Sequence, residues 1–99
     1  MKIVLMCNQG MSTSILMKKM KEAAASEGMA CDISACPVDL ARDKAADADI
    51  ILLGPQVRFQ QDNIQKIFPD KVVEVVDMRL YGRMDGKAIL AFAKEKVNA

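Results

Sequence analysis

Lys2-Ile3-Val4-Leu5-Met6-Cys7-Asn8-Gln9-Gly10-Met11-Ser12-Thr13-Ser14 begins as a short apolar run, turns through small polar residues and enters a helical pattern. Ile3, Val4 and Leu5 predict a strand over residues 2–6. Leu16, Met20, Ala23 and Ala24 then recur on one face of a helix over residues 12–27, with Lys18, Lys19, Lys21 and Glu22 on a solvated face. Gly28 stands where that helix should end, because glycine accepts the left-handed backbone of a helix C-terminus. A strand, a tight polar turn and a helix are the first unit of a sheet with crossover helices.

The pattern repeats along the chain. A weaker strand is expected over residues 30–35, followed by a short Ala- and Asp-rich helix opened by Pro37 and running to about residue 46. Asp49 introduces the clearest strand, Ile50-Ile51-Leu52-Leu53, which Gly54-Pro55 stops. Val57, Ile64, Ile67 and Phe68 predict a third helix over residues 57–68, ended by Pro69-Asp70. A fourth strand is expected over residues 72–76. Gly82 and Gly86 bracket a turn into a last helix over residues 87–97, with Ile89, Leu90, Ala93 and Val97 as its core face.

Strands without polar alternation are buried on both faces, so the chain reads as a single three-layer α/β domain over residues 1–99, with a parallel sheet between helices. Right-handed crossovers and the flavodoxin-like order 2-1-3-4 put the first strand in the centre, with Cys7 at its carboxyl end in the crevice where such sheets bind ligands. The loops after strands three and four, Gly54-Pro55-Gln56 and residues 77–85, should form the other walls.

Composition narrows the function. Ninety-nine residues with 52% hydrophobic content hold one core, and a formal charge of +1 with four aromatic side chains lacks the basic, aromatic footprint of a nucleic-acid binder. No apolar run reaches the length of a membrane span, and the chain enters a strand pattern directly without a signal peptide, so a soluble cytoplasmic protein is expected. Three cysteines, no histidine and no C-x-x-C spacing argue against a metal site. Cys31 and Cys36 are expected to be reduced structural thiols, since residues five apart on one strand bridge only with strain.

Cys7 allows two readings, a small buried hydrophobe or a nucleophile. Its place favours the second. Amides of a loop entering a helix N-terminus point at whatever sits there, and the field that holds an oxyanion also favours a sulfur anion. Asn8, Gln9, Gly10, Met11, Ser12, Thr13 and Ser14 are therefore the expected phosphate cradle, with Gly10 allowing close backbone approach and the hydroxyls of Ser12 and Thr13 adding hydrogen bonds. Gln56, Asp77 and Tyr81 are expected in a supporting or partner-facing role, with plain surface loop residues as the alternative.

These motifs carry a resemblance over the whole chain. Cys7 with Gly10-Met11-Ser12-Thr13-Ser14, then Leu52-Leu53-Gly54-Pro55-Gln56, then Asp77, Leu80-Tyr81-Gly82 and Asp85-Gly86 resemble the IIB component of the lactose/cellobiose/chitobiose family of the bacterial sugar phosphotransferase system (PTS). The resemblance implies that Cys7 takes a phosphoryl group from a histidine of the IIA component. It would pass the group to a β-disaccharide of cellobiose or chitobiose type held by the membrane component IIC. It implies no cofactor and no metal, because the donor is a phosphohistidine rather than a nucleotide. A chain monomeric on its own, meeting the membrane only through IIC, is expected. Met11, Met78 and Met84 would give two unlike partners an adaptable surface. A low-molecular-weight tyrosine phosphatase shares the design but needs an arginine six residues after its cysteine, where this chain has Thr13 and so lacks the bidentate clamp. Asp77 is the one candidate for the general acid of that reaction. A redox or binding module using the Cys7 thiol is the third reading.

Overall fold

The structure, a computed structural model, describes residues 1–7 and 11–98, with the side chains of all of these except Met11 and Ser12. Four parallel strands, β1 (Lys2–Cys7), β2 (Asp32–Pro37), β3 (Ile50–Leu53) and β4 (Val72–Val75), form one sheet in the order β2-β1-β3-β4, as the sequence predicts. The central strands β1 and β3 are buried on both faces almost throughout, whereas β2, at an edge, mixes buried Ile33 and Cys36 with exposed Asp32 and Ala35. An edge strand is covered on fewer sides and so tolerates polar residues that a central one cannot.

Helices cover both faces. Alternate residues of the strands separate two cores: Ile3, Leu5, Ile50 and Leu52 pack against α1 (Met11–Ser26) and α5 (Gly86–Val97), while Val4, Met6, Ile51 and Leu53 pack against α2 (Ala41–Lys44) and α3 (Gln61–Ile67). The predicted faces are the ones that bury: Leu16, Met20 and Ala24 on α1, Ile64 on α3, and Ile89, Leu90 and Ala93 on α5. Lys18, Lys19 and Lys21 are exposed.

The boundaries depart from the sequence reading where tertiary hydrogen bonds intervene. β2 begins two residues later than expected because the end of α1 and the chain terminus use the intervening residues. Met29 N–H reaches the Ala24 carbonyl at 2.9 Å and Gly28 N–H the Ala25 carbonyl at 3.2 Å, while the Met1 amino group donates to the Ala30 carbonyl. Pro37 can close β2 because an edge strand has a side on which no donor is needed. The expected second helix is a 3₁₀ turn (Val38–Leu40) leading into four residues of α2. The expected third is a 3₁₀ segment (Pro55–Gln60), kinked at Val57, leading into α3. Proline at the start and a β-branched residue one turn on favour the tighter form.

Gly28, at φ +67°, makes the turn that ends α1, and the two hydrogen bonds around it form a Schellman motif. A Cβ there meets nothing within 4 Å, so Gly28→Ala is penalised by backbone conformation alone. We expect a loss of about 1 kcal/mol in urea denaturation with no change of fold.

Candidate active site at the end of the first strand

Cys7 is the last residue of β1, on the face shared with α1 and α5, and its side chain is buried. Backbone bonds fix the strand ends around it: Gly54 N–H donates to the Met6 carbonyl at 2.9 Å and Val76 N–H to the Leu53 carbonyl at 2.9 Å. The ends of β1, β3 and β4 therefore stand together, as the strand order requires.

Thr13, in the first turn of α1 and only 2% exposed, donates its hydroxyl to Cys7 Sγ at 2.9 Å. The Tyr81 hydroxyl lies 3.3 Å from Thr13 Oγ1. Residues 7, 13 and 81, read from two separate motifs, thus meet through one buried hydroxyl. At the position where a phosphatase of this design would hold its arginine, the threonine faces the sulfur and presents no fork of N–H donors.

The remaining cradle residues are only partly described. Asn8, Gln9 and Gly10 lie outside the described residues, as do the side chains of Met11 and Ser12, whose backbone belongs to α1. Ser14 is exposed on α1.

The wall after β4 differs from expectation. Residues 77–85 are not a loop but contain a short helix, α4 (Met78–Gly82), which brings Tyr81 inward. Asp77 caps it, its Oδ1 accepting from Arg79 N–H at 2.8 Å and Leu80 N–H at 3.3 Å. One oxygen of the Asp77 carboxylate is thus taken up by backbone donors at the start of α4. We expect Asp77→Ala to cost about 1 kcal/mol in thermal or urea unfolding, as a lost N-cap does. The helix ends in a second Schellman motif, in which Met84 N–H bonds the Tyr81 carbonyl and Asp85 N–H the Leu80 carbonyl. Its left-handed residue is Met84 (φ 53°), not Gly82. Met84 packs on the core, whereas Met78 is exposed. Asp85 in turn caps α5 through Ala88 N–H at 3.1 Å.

Gln56 is exposed and lies with Tyr81 along an open groove of about 310 Å³, lined also by Pro55, Arg58, Met78 and Gly82. Gly54 lets these residues converge: a Cβ on it would stand 2.5 Å from Gln56 Oε1 and 3.5 Å from Tyr81 Cε2. Arg58, which the sequence reading did not single out, places a guanidinium in this groove and donates to the Pro55 carbonyl at 3.3 Å. Its position two residues beyond Gln56, in the turn after a strand at the crevice, was the available signal.

Cys31 and Cys36 are free thiols. Cys36 pairs in register with Met6, one residue before Cys7, and burial pushes its thiol above the ordinary range, with the nearby Cys7 sulfur adding to the effect. Among the described residues, no helix is long and apolar enough to cross a membrane, and no cluster of side chains could hold a metal ion.

Residues 2–92 match the family described as "PTS system, Lactose/Cellobiose specific IIB subunit". Curated relatives include the oligo-beta-mannoside-specific EIIB component of Bacillus subtilis (strain 168), 46% identical over 87% of this chain and 85% of that protein. The cellobiose-specific EIIB component of Lactococcus lactis subsp. lactis (strain IL1403) is 38% identical over 97% of this chain and 95% of the relative. Among solved structures, the cellobiose-specific phosphotransferase IIB component from Borrelia burgdorferi superposes with a TM-score of 0.82 at 31% identity, covering 99% of this chain and 92% of that one. The lactose-specific IIB domain from Streptococcus pneumoniae, at 17% identity, shares the fold with a TM-score of 0.85 over 97% of this chain and 96% of that chain.

Proposed function

This chain belongs to the lactose/cellobiose-specific IIB family of the sugar phosphotransferase system, and from that premise we propose that Cys7 is its phosphoryl carrier. The observation that carries the reading is the Thr13 hydroxyl held 2.9 Å from Cys7 Sγ, at the carboxyl end of a central strand where a helix begins. A hydroxyl donor at that distance favours an anionic sulfur, which is the nucleophilic form of cysteine.

In the first step a lone pair of the Cys7 thiolate forms the S–P bond as the N–P bond of a IIA phosphohistidine breaks, the electron pair staying on the imidazole nitrogen. In the second, a hydroxyl oxygen of a sugar held by IIC attacks phosphorus, the S–P pair returns to sulfur, and the hydroxyl proton passes to a base on the acceptor side. Such transfers run in line through a loose transition state, so the protein's work is positioning and stabilising charge on the equatorial oxygens. Amides of residues 8–14 serve that purpose in this proposal, with Ser12 and Thr13 adding hydroxyls. Gln56, Arg58 and Tyr81 line the approach.

The acceptor is a β-linked disaccharide of cellobiose or chitobiose type, the choice among such sugars resting with IIC. The chain works at the cytoplasmic face and meets the membrane only through IIC.

The test is intact-mass measurement of the purified chain after incubation with phosphoenolpyruvate, the general phosphotransferase proteins and a cognate IIA. One phosphoryl group should appear on Cys7 and disappear when IIC and its sugar are added. Absence of an adduct, with turnover of an aryl phosphate instead, would overturn the carrier reading.

A further inference from the structure

We infer that Tyr81 is a positioning residue for Cys7 that acts through Thr13, a chain of hydroxyl donors running from the phenol to the threonine and from the threonine to the sulfur. Its role in transfer rests on the carrier function proposed above. Its action on the sulfur can be measured without any partner protein.

The direction of the chain follows from proton counting. A threonine hydroxyl has one hydrogen and two lone pairs. The hydrogen is directed at Cys7 Sγ, 2.9 Å away, so toward Tyr81, 3.3 Å away, the Thr13 oxygen must accept and the phenol must donate. Thr13 is 2% exposed and Tyr81 9%, so water competes little for either group. In such surroundings donors in series polarise one another, and the threonine becomes a better donor to the sulfur because the tyrosine donates to it.

The tyrosine is held for this task from several sides. Asp77 fixes the start of α4, the Met84 turn fixes its end, and the ring lies against Gly54, where no side chain intervenes. A titratable group that acts on Cys7 from a neighbouring strand is Cys36 of β2, whose thiol is pushed up by its own burial and then by the Cys7 sulfur.

Such a chain stabilises the thiolate more than the phosphorylated sulfur. When the S–P bond breaks, its electron pair returns to a sulfur already facing a donor. When the bond forms, the sulfur becomes a poor acceptor, and the Thr13 hydrogen can turn to a phosphoryl oxygen while Tyr81 stays in place.

The experiment follows alkylation of Cys7 by iodoacetamide across pH, read by peptide mass spectrometry, in the wild type, Tyr81→Phe, Thr13→Val, Thr13→Ser and the double variant Tyr81→Phe/Thr13→Val. Thr13→Val should raise the pH midpoint of alkylation by about one unit, the worth of a hydrogen bond to a charged group, and Tyr81→Phe by about half a unit. Thr13→Ser should restore the wild-type profile, and Tyr81→Phe should add nothing once Thr13 is valine. Should Thr13→Val not fold, Thr13→Ala makes the same comparison. A tyrosine that merely packs would lower the melting temperature and leave the midpoint in place, which would overturn the proposal. So would a Tyr81→Phe shift that persists undiminished in the valine background. No arm uses IIA, so failure of phosphorylation and failure of the relay are separate results.

Discussion

Cys7→Ser should retain its fold and lose phosphoryl transfer by at least about 10³-fold, because a serine hydroxyl is not ionised at neutral pH and is a far weaker nucleophile than a thiolate. The side chain is buried, and serine differs from cysteine by one atom, so the Thr13 hydroxyl keeps an acceptor. The loss should therefore be chemical rather than structural, with stability within about 1 kcal/mol of the wild type. Intact mass after incubation with IIA and phosphoenolpyruvate should show one phosphoryl group on the wild type and none on the variant. Cys31→Ser and Cys36→Ser should label like the wild type, since Cys31 precedes β2 at the far end of β1 from Cys7 and Cys36 packs in the core on the other face of the sheet. Labelling of Cys7→Ser at the wild-type rate would move the acceptor to another residue.

Gly86→Ala should destabilise the protein by about 2 kcal/mol, although alanine is the better helix former. Gly86 is the first residue of α5, where that helix crosses α1. A Cβ there would stand 2.6 Å from the Lys19 carbonyl carbon, 2.7 Å from Met20 N and 2.8 Å from Lys19 Cβ. Two of these three are backbone atoms of a hydrogen-bonded helix and cannot swing aside as a side chain tip would, so the helices must separate. Separation opens the core where Met20, Ile89 and Leu90 pack at 0–1% exposure. The helix-propensity gain, at most about 1 kcal/mol, is smaller than an overpacking cost of this kind. Thermal unfolding should show a midpoint roughly 10 °C lower. A midpoint at or above the wild type would mean that α5 pivots away from α1 at little cost.

The contrast between Gly86 and Gly54 shows why a motif is not a role. Both belong to short stretches that resemble the IIB family. At Gly54 the nearest obstacle to a Cβ is the end of the flexible Gln56 side chain, beside the site, whereas at Gly86 it is the backbone of α1, well inside the core. Asp77 and Asp85 show the same division. Both are helix caps, each accepting from backbone N–H groups of the helix it starts.

The parallel sheet and the buried faces of the helices were legible in the apolar periods of β1, β3, α1 and α5, and the favoured hand of each strand-to-helix unit left few orders, of which the flavodoxin-like 2-1-3-4 is the one formed. The sequence also singled out Cys7, since a cysteine ending a central strand before a polar turn is chemically distinctive. What it could not determine were features set by contacts between distant segments. The register of β2 depends on how the end of α1 and the chain terminus share hydrogen bonds across residues 28–32. The helix α4 depends on an aspartate cap and a methionine in left-handed conformation, for which composition gives little warning. The meeting of Tyr81 with Thr13, sixty-eight positions apart, exists only because β1, β3 and β4 end side by side. Local pattern sets which surfaces must be buried, but only the packed chain sets which polar atoms come within hydrogen-bonding distance once water has been excluded.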